Sequence, residues 1–289
     1  MLILKDRTNS ITRDSVCGIG SFDGVHRGHQ AIVHYLKQSA GSHRKTGIIT
    51  FTPLPIFILK KASICCLTPR EEKEEIFAQL GVDFIFYFEF SENFARLSPE
   101  DFVATIAHKI EPSLVVVGEN FHFGSARKGT AQLLQTLGTE FYRVEIMPKI
   151  VDVGIISSTR IRELILLGNV KTANRLLGRT YSVSGMVRKG KGRGVRLGFP
   201  TINIVPPEDK LIPLDGVYKA SVITSHREHL GALFCRHDLL EVHILGFSGD
   251  LYGENVTVKF LERVRGIEHF VNEQALGAAI ADDIKKIVT

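Results

Sequence analysis

An apolar run that passes through a glycine-rich turn into a helix constrains this chain more than any other stretch. It reads Ser15-Val16-Cys17-Gly18-Ile19-Gly20, then Ser21-Phe22-Asp23-Gly24-Val25-His26-Arg27-Gly28-His29-Gln30. The spacing predicts a strand, a turn and a helix that continues through residue 36. His26 and His29 are three residues apart, which puts both imidazoles on one helix face. They fall in the first turn, where free backbone N–H groups and the helix dipole favour an anion. Two histidine donors aimed there suit a phosphate on which charge is rearranging, as adenylyl transfer requires. The competing readings are two surface histidines or a zinc site. Zinc is the weaker, because it prefers an i, i+4 pair with a third ligand.

The same alternation continues to about residue 178. Gly47-Ile48-Ile49-Thr50-Phe51 predicts a second strand, stopped by Thr52-Pro53-Leu54-Pro55. Thr68-Pro69-Arg70-Glu71-Glu72-Lys73 has the cap, proline and acidic residues of a helix start, and Ser98-Pro99-Glu100-Asp101-Phe102 repeats the logic. Phe84-Ile85-Phe86-Tyr87-Phe88 and Leu114-Val115-Val116-Val117-Gly118 are apolar throughout, as strands buried on both faces of a parallel sheet are. A βαβαβ rhythm of this kind predicts a doubly wound α/β domain with its ligand beyond the carboxyl ends of the strands. After Gly178-Arg179-Thr180 the segments shorten, and Gly and Pro separate runs rich in Val, Ile, Thr and Tyr. Strands are expected at residues 181–187, 216–223, 240–245 and 255–260, closing into a small antiparallel β-barrel, with a helix over 271–287. The expected domains are therefore residues 1–180 and 181–289.

With 289 residues, either domain has enough chain to bury a core. Hydrophobic residues make up 44% and charged residues 23%, as in ordinary globular proteins. The net charge of +5, from 36 Lys+Arg and 31 Asp+Glu, is small and scattered, which argues against nucleic acid as a partner. No apolar run approaches the ~18 residues of a membrane span, and the first residues lack the pattern of a secretory signal. Cys17, Cys65, Cys66 and Cys235 have no metal-ligand spacing, and adjacent Cys65 and Cys66 are poorly placed for a mutual disulfide. Four unpaired thiols predict a reducing cytoplasm.

Three further constellations carry chemistry. In Ser157-Ser158-Thr159-Arg160-Ile161-Arg162, hydroxyl residues open a helix, and Arg162 is placed to hold a triphosphate. A plain helix cap with a solvated Arg is the alternative. Lys189-Gly190-Lys191-Gly192-Arg193-Gly194 leads into Gly198-Phe199-Pro200-Thr201-Ile202-Asn203, where glycines let backbone approach phosphate and cations neutralise it. Thr201 and Asn203 share a face of an extended strand, and their oxygens suit Mg²⁺ carried by a nucleotide. Glu241, ahead of Asp250-Leu251-Tyr252-Gly253, is placed to take the proton of a substrate hydroxyl. A solvated Glu paired with Lys259 or Arg263 is its alternative. His243 is read as structural.

The motif from Gly20 to His29, the Ser157-to-Arg162 run and Gly198-Phe199-Pro200-Thr201-Ile202-Asn203 together resemble the bacterial bifunctional riboflavin kinase/FAD synthetase family. Residues 67–73, 80–83, 90–102 and 117–124 fall in the family's order. The resemblance implies a Rossmann-like nucleotidyltransferase domain that transfers AMP from ATP to FMN, and a riboflavin kinase barrel. It implies that His26 and His29 stabilise the α-phosphate, and that Gly20, Phe22, Gly28, Ser158, Thr159 and Arg162 surround ATP. Asn120 and Phe121 would lie near the flavin. Gly192, Gly194 and Gly198 would approach the phosphates of the second site, Thr201 and Asn203 would hold Mg²⁺, and Glu241 would be the base. The chain departs from the family at Leu54, where many members carry His, and at residues 231–240, which are short and lack the usual asparagine-isoleucine-glycine core. That segment keeps open an alternative: an FMN adenylyltransferase whose barrel binds flavin without phosphorylating it.

Overall fold

The computed structural model describes the chain apart from residues 6–11, 61–64, 153, 191, 226 and 238. The chain divides into two compact units, Met1–Ile64 with Thr68–Ser157, and Cys65–Leu67 with Ser158–Thr289.

Six described strands of the first unit form one sheet, in the order Leu2–Lys5, Phe84–Glu89, Thr46–Thr52, Val16–Ile19, Leu114–Gly118, Arg143–Met147. Every pairing in it is parallel. Alternate residues of each strand point to opposite faces, and here both faces are covered. Cys17, Ile19, Phe84, Phe86, Phe88, Val115 and Val117 join a core completed by helix Pro99–Ile110. Val16, Ile48, Ile85, Tyr87, Leu114 and Val116 join a second core, completed by helices Arg27–Ala40 and Arg70–Gln79. This explains why the strands read as unbroken apolar runs. Winding proceeds outward from Val16–Ile19 through Thr46–Thr52 to Phe84–Glu89, then resumes on its other side with Leu114–Gly118 and Arg143–Met147. The turn after Val16–Ile19 thus emerges at the topological switch point of the sheet.

Local signals account for most helix starts. Ser98 caps its helix by accepting from the Asp101 amide, with Pro99 at the first position. Helix Arg70–Gln79 differs from expectation: Pro69 is its cap residue, and the Thr68 amide donates instead to Asp23 Oδ1. Thr52–Pro53 is a cis peptide that ends its strand, and helix Pro55–Lys60 follows.

In the second unit six antiparallel strands close a barrel, in the order Ser182–Arg188, Ile202–Ile204, Leu239–Ile244, Glu228–Arg236, Gly216–Ile223, Asn255–Arg265. Val183, Leu233, Cys235, Leu240, Val242, Val258 and Phe260 are fully buried within the unit. Strands Glu228–Arg236 and Leu239–Ile244 pair as a hairpin whose last registered pair is Arg236 with Leu239; Asp238 lies outside the described residues. Helices Ser158–Leu166 and Val170–Leu177 belong with the barrel. Asn174 fastens the second of them, donating to the Phe260 carbonyl (2.8 Å) and accepting from the Tyr181 amide (2.7 Å). By packing, the division therefore falls at Ser157/Ser158, whereas the composition changes near residue 178. Helix Glu273–Val288 ends the chain, docked through Asp283 and Ile287.

Candidate active sites

The first site grows from the end of strand Val16–Ile19. Gly18 lets the helix close on the strand: a Cβ there would lie 3.1 Å from Ile32 and 3.3 Å from Leu36. Gly20 donates to the Ile49 carbonyl (3.1 Å), and the chain then turns through three positive φ values, at Phe22 (49°), Gly24 (87°) and Val25 (37°). A β-branched residue at positive φ is strained. Packing enforces it, because Phe22 and Val25 are 1% and 0% exposed. The helix begins at Arg27, so His26 is its N-cap and not part of its first turn. His26 Nδ1 accepts from the His29 amide at 3.3 Å. The two rings stack with centroids 3.6 Å apart and planes 17° from parallel. Phe22 abuts His29 edge-on at 5.0 Å. Gly28 leaves room for the cap, since its Cβ would lie 3.1 Å from the His26 ring. Arg27 pairs with Asp152.

Two buried groups behind this turn escaped the sequence reading. Asp23 is 5% exposed and accepts from Thr68, as described. Lys73 is 3% exposed and donates to the Ser21 carbonyl at 3.0 Å. Lys73 stands in the run Arg70-Glu71-Glu72-Lys73-Glu74-Glu75, which looks like a solvated helix face; only the i, i+4 spacing to buried Phe77 signals otherwise. Asn120 and Phe121 follow strand Leu114–Gly118. Asn120 is exposed, and Phe121 stacks on Phe123 with centroids 5.6 Å apart. Leu54 is 8% exposed. Ser158, Thr159 and Arg162 lie in the first turns of the helix beginning at Ser158, in the second unit, where Arg162 donates to the Cys65 carbonyl.

The second site is built on the barrel. Asn203 is registered opposite Glu241, and Glu241 in turn opposite Phe234. Directly opposed residues of antiparallel strands share a face, so the three form one row. Thr201 stands just before strand Ile202–Ile204. Gly194 lies close against Thr201: a Cβ on it would lie 3.0 Å from Thr201 Oγ1 and 2.4 Å from the Phe199 carbonyl. Gly192 and Gly198 take φ of 67° and 82°, which favour glycine, around the short helix Arg193–Arg196. Lys191 lies outside the described residues. His243 Nδ1 lies 2.8 Å from the Pro200 carbonyl, and its ring stands edge-on to Phe199. The two cations weighed as partners of Glu241 are engaged elsewhere. Lys259 pairs with Glu228 (3.1 Å), and Arg263 donates to the Asp215 carbonyl (2.9 Å). Among the described residues no group of three or more His, Cys, Asp and Glu side chains is arranged to hold a metal ion. No described helix is long and apolar enough to cross a membrane.

Comparison with known proteins bears on both sites. The FAD synthetase family model matches residues 8–160, and the riboflavin kinase model matches residues 177–289. A bifunctional riboflavin kinase/FMN adenylyltransferase of Listeria monocytogenes is 35% identical over 283 residues, covering 93% of this chain and 90% of its own. One from Escherichia coli K12 is 33% identical over 284 residues, again covering 93% and 90%. A crystal structure from Streptococcus pneumoniae, described as a macrolide-efflux protein, superposes with a TM-score of 0.91 at 30% identity, covering 100% of this chain and 99% of that one. With both models matched in succession and such relatives over nearly its whole length, the chain belongs to the bifunctional riboflavin kinase/FMN adenylyltransferase family.

Proposed function

We propose that this chain makes FMN and then FAD: ATP phosphorylates riboflavin at the barrel, and a second ATP adenylylates FMN at the parallel-sheet unit. The functional domains of this reading are residues 1–180 for adenylyl transfer and 181–289 for phosphorylation.

In phosphorylation a ribityl hydroxyl oxygen attacks the γ-phosphorus, ADP leaves, and Glu241 takes the hydroxyl proton. Thr201 and Asn203 offer a hydroxyl and an amide oxygen, the hard donors that Mg²⁺ takes. The fit is supported by the glycines above them, because side chains at 190 and 194 would fill the space over both residues. Bound with the nucleotide, Mg²⁺ supplies charge neutralisation at the phosphates. Gly192, Gly194 and Gly198 let backbone approach them.

In adenylyl transfer an oxygen of the FMN phosphate attacks the α-phosphorus of ATP. The bond to the β-phosphate breaks and pyrophosphate leaves. His26 and His29 stabilise the charge gathering on the α-phosphate. Gly20, Phe22 and Gly28 shape the turn that carries them. Ser158, Thr159 and Arg162 hold the departing phosphates, and Asn120 and Phe121 adjoin the flavin. Positioning and charge stabilisation suffice without a covalent enzyme intermediate.

One observation favours two activities over adenylyl transfer alone: Asn203 and Glu241 stand opposite each other. A barrel that only binds flavin has no need of that pair. The partners in this reading are riboflavin, FMN and ATP, with no nucleic acid and no membrane. The free cysteines Cys17, Cys65, Cys66 and Cys235 support a cytoplasmic setting.

Incubation with riboflavin, ATP and Mg²⁺, followed by separation of the flavins, tests the reading. FMN and FAD are expected, and recovery of riboflavin alone overturns it. Glu241→Gln should abolish use of riboflavin and spare conversion of FMN to FAD. His29→Ala should let FMN accumulate.

A further inference from the structure

We infer that Lys73 is a positioning residue for adenylyl transfer, holding His29 in place through the Ser21–Phe22 peptide. This rests on the assignment of His26 and His29 to that reaction.

The helix Arg70–Gln79 presents two buried side chains, Lys73 and Phe77, on one face. Both bear on the turn that carries the histidines. Lys73 Nζ donates to the Ser21 carbonyl at 3.0 Å, and that oxygen also accepts from Thr50 Oγ1 at 3.3 Å. Phe77 meets the Phe22 ring edge-on at 5.5 Å, with planes 88° apart. Phe22 in turn meets the His29 ring at 5.0 Å. The two donors on the Ser21 carbonyl fix the plane of the Ser21–Phe22 peptide. Phe22 then adopts a φ of 49°, which places its ring against His29.

A buried ammonium is costly unless its hydrogen bonds are made, and charge-assisted bonds to a carbonyl are stronger than neutral ones. A lysine that is 3% exposed in a helix whose other charged side chains are half-buried or exposed therefore marks a position where that bond matters. Turn geometry of this kind is strained, and strain persists only where neighbouring groups over-determine it. Lys73 and Thr50 supply that constraint from behind the site.

Steady-state kinetics of FMN adenylylation in Lys73→Met and Lys73→Arg tests the inference, with riboflavin phosphorylation by the same preparations as internal reference. Lys73→Met should lower kcat on the order of 10²-fold, as misplacement of a catalytic group by about 1 Å does. The KM values for ATP and FMN should stay unchanged, riboflavin phosphorylation should be unaffected, and Lys73→Arg should restore most of the rate. An unchanged kcat in Lys73→Met overturns the inference, as does a loss expressed in KM. Should Lys73→Met not accumulate as folded protein, Thr50→Val carries the test by removing the second donor. A lowered kcat at constant KM supports the inference, and a wild-type kcat overturns it. His29→Ala separates the two levels. If it keeps its rate, the site assignment fails; if it alone loses rate, that assignment stands and the role of Lys73 falls.

Discussion

Gly190 and the Asn203 side chain occupy adjoining space, so that a Cβ on residue 190 would fall 2.2 Å from Asn203 Nδ2. No real Cβ is tolerated at that distance, and the amide would have to swing out of its row opposite Glu241. Gly190→Ala should therefore lower riboflavin phosphorylation on the order of 10²-fold. FAD formation from supplied FMN should be unchanged. Separate assays started from riboflavin and from FMN check this.

Gly28→Ala separates stability from activity at the other site. Gly28 lies in the first turn of helix Arg27–Ala40, where alanine is intrinsically favoured by about 1 kcal/mol. Its Cβ would also press on the His26 ring at 3.1 Å and disturb the stacked pair. The expected result is a Tm equal to or above that of the parent, with FAD formation reduced and FMN accumulating. Thermal melts and flavin analysis of one preparation measure both.

Asp283 ties the terminal helix to the barrel. Arg265 donates to it through Nε (2.9 Å to Oδ1) and Nη2 (2.7 Å to Oδ2), with side chains 17% and 5% exposed. Removing one member of a buried pair leaves the other charge uncompensated, at a cost of about 3–5 kcal/mol. Asp283→Ala should lower the urea midpoint of the barrel unit by that equivalent.

Cys17 and Cys235 are both fully buried, and burial pushes each thiol up to about 12. Unfolded, a cysteine titrates near 8.5. The folded chain thus holds more protons than the unfolded chain between about 9 and 12, and stability from these thiols is present below that window and lost as pH rises through it. Both should resist alkylation at pH 8 in the native protein and react on unfolding, as mass spectrometry of labelled peptides would read.

The fold was legible where burial is two-sided. Strand Leu114–Gly118 has no polar side chain, and its apolar run coincides with the strand from end to end. Strand Leu2–Lys5 lies at the sheet edge with Leu2 47% and Ile3 36% exposed, and so short a half-exposed run carries little signal. Strand Glu228–Arg236 was hidden by its central Gly231 and charged ends; its place between two barrel neighbours supplies the order that its composition lacks. The histidine pair, Thr201, Asn203 and Glu241 were visible as residue types. The stack of His26 on His29 depends on a cap conformation, and the pairing of Asn203 with Glu241 on a register between distant strands. Neither is encoded in local spacing.

The point where the sheet reverses its winding has a consequence for how such a chain can diversify. Strand Val16–Ile19 keeps the same two neighbours whatever the length of the excursions between Phe84–Glu89 and Leu114–Gly118, or between Leu114–Gly118 and Arg143–Met147. The turns at the ends of those excursions can lengthen or shorten while the helices within them, Pro99–Ile110 and Ala131–Gly138, stay pinned in the core and the turn after Val16–Ile19 stays anchored to the centre of the sheet.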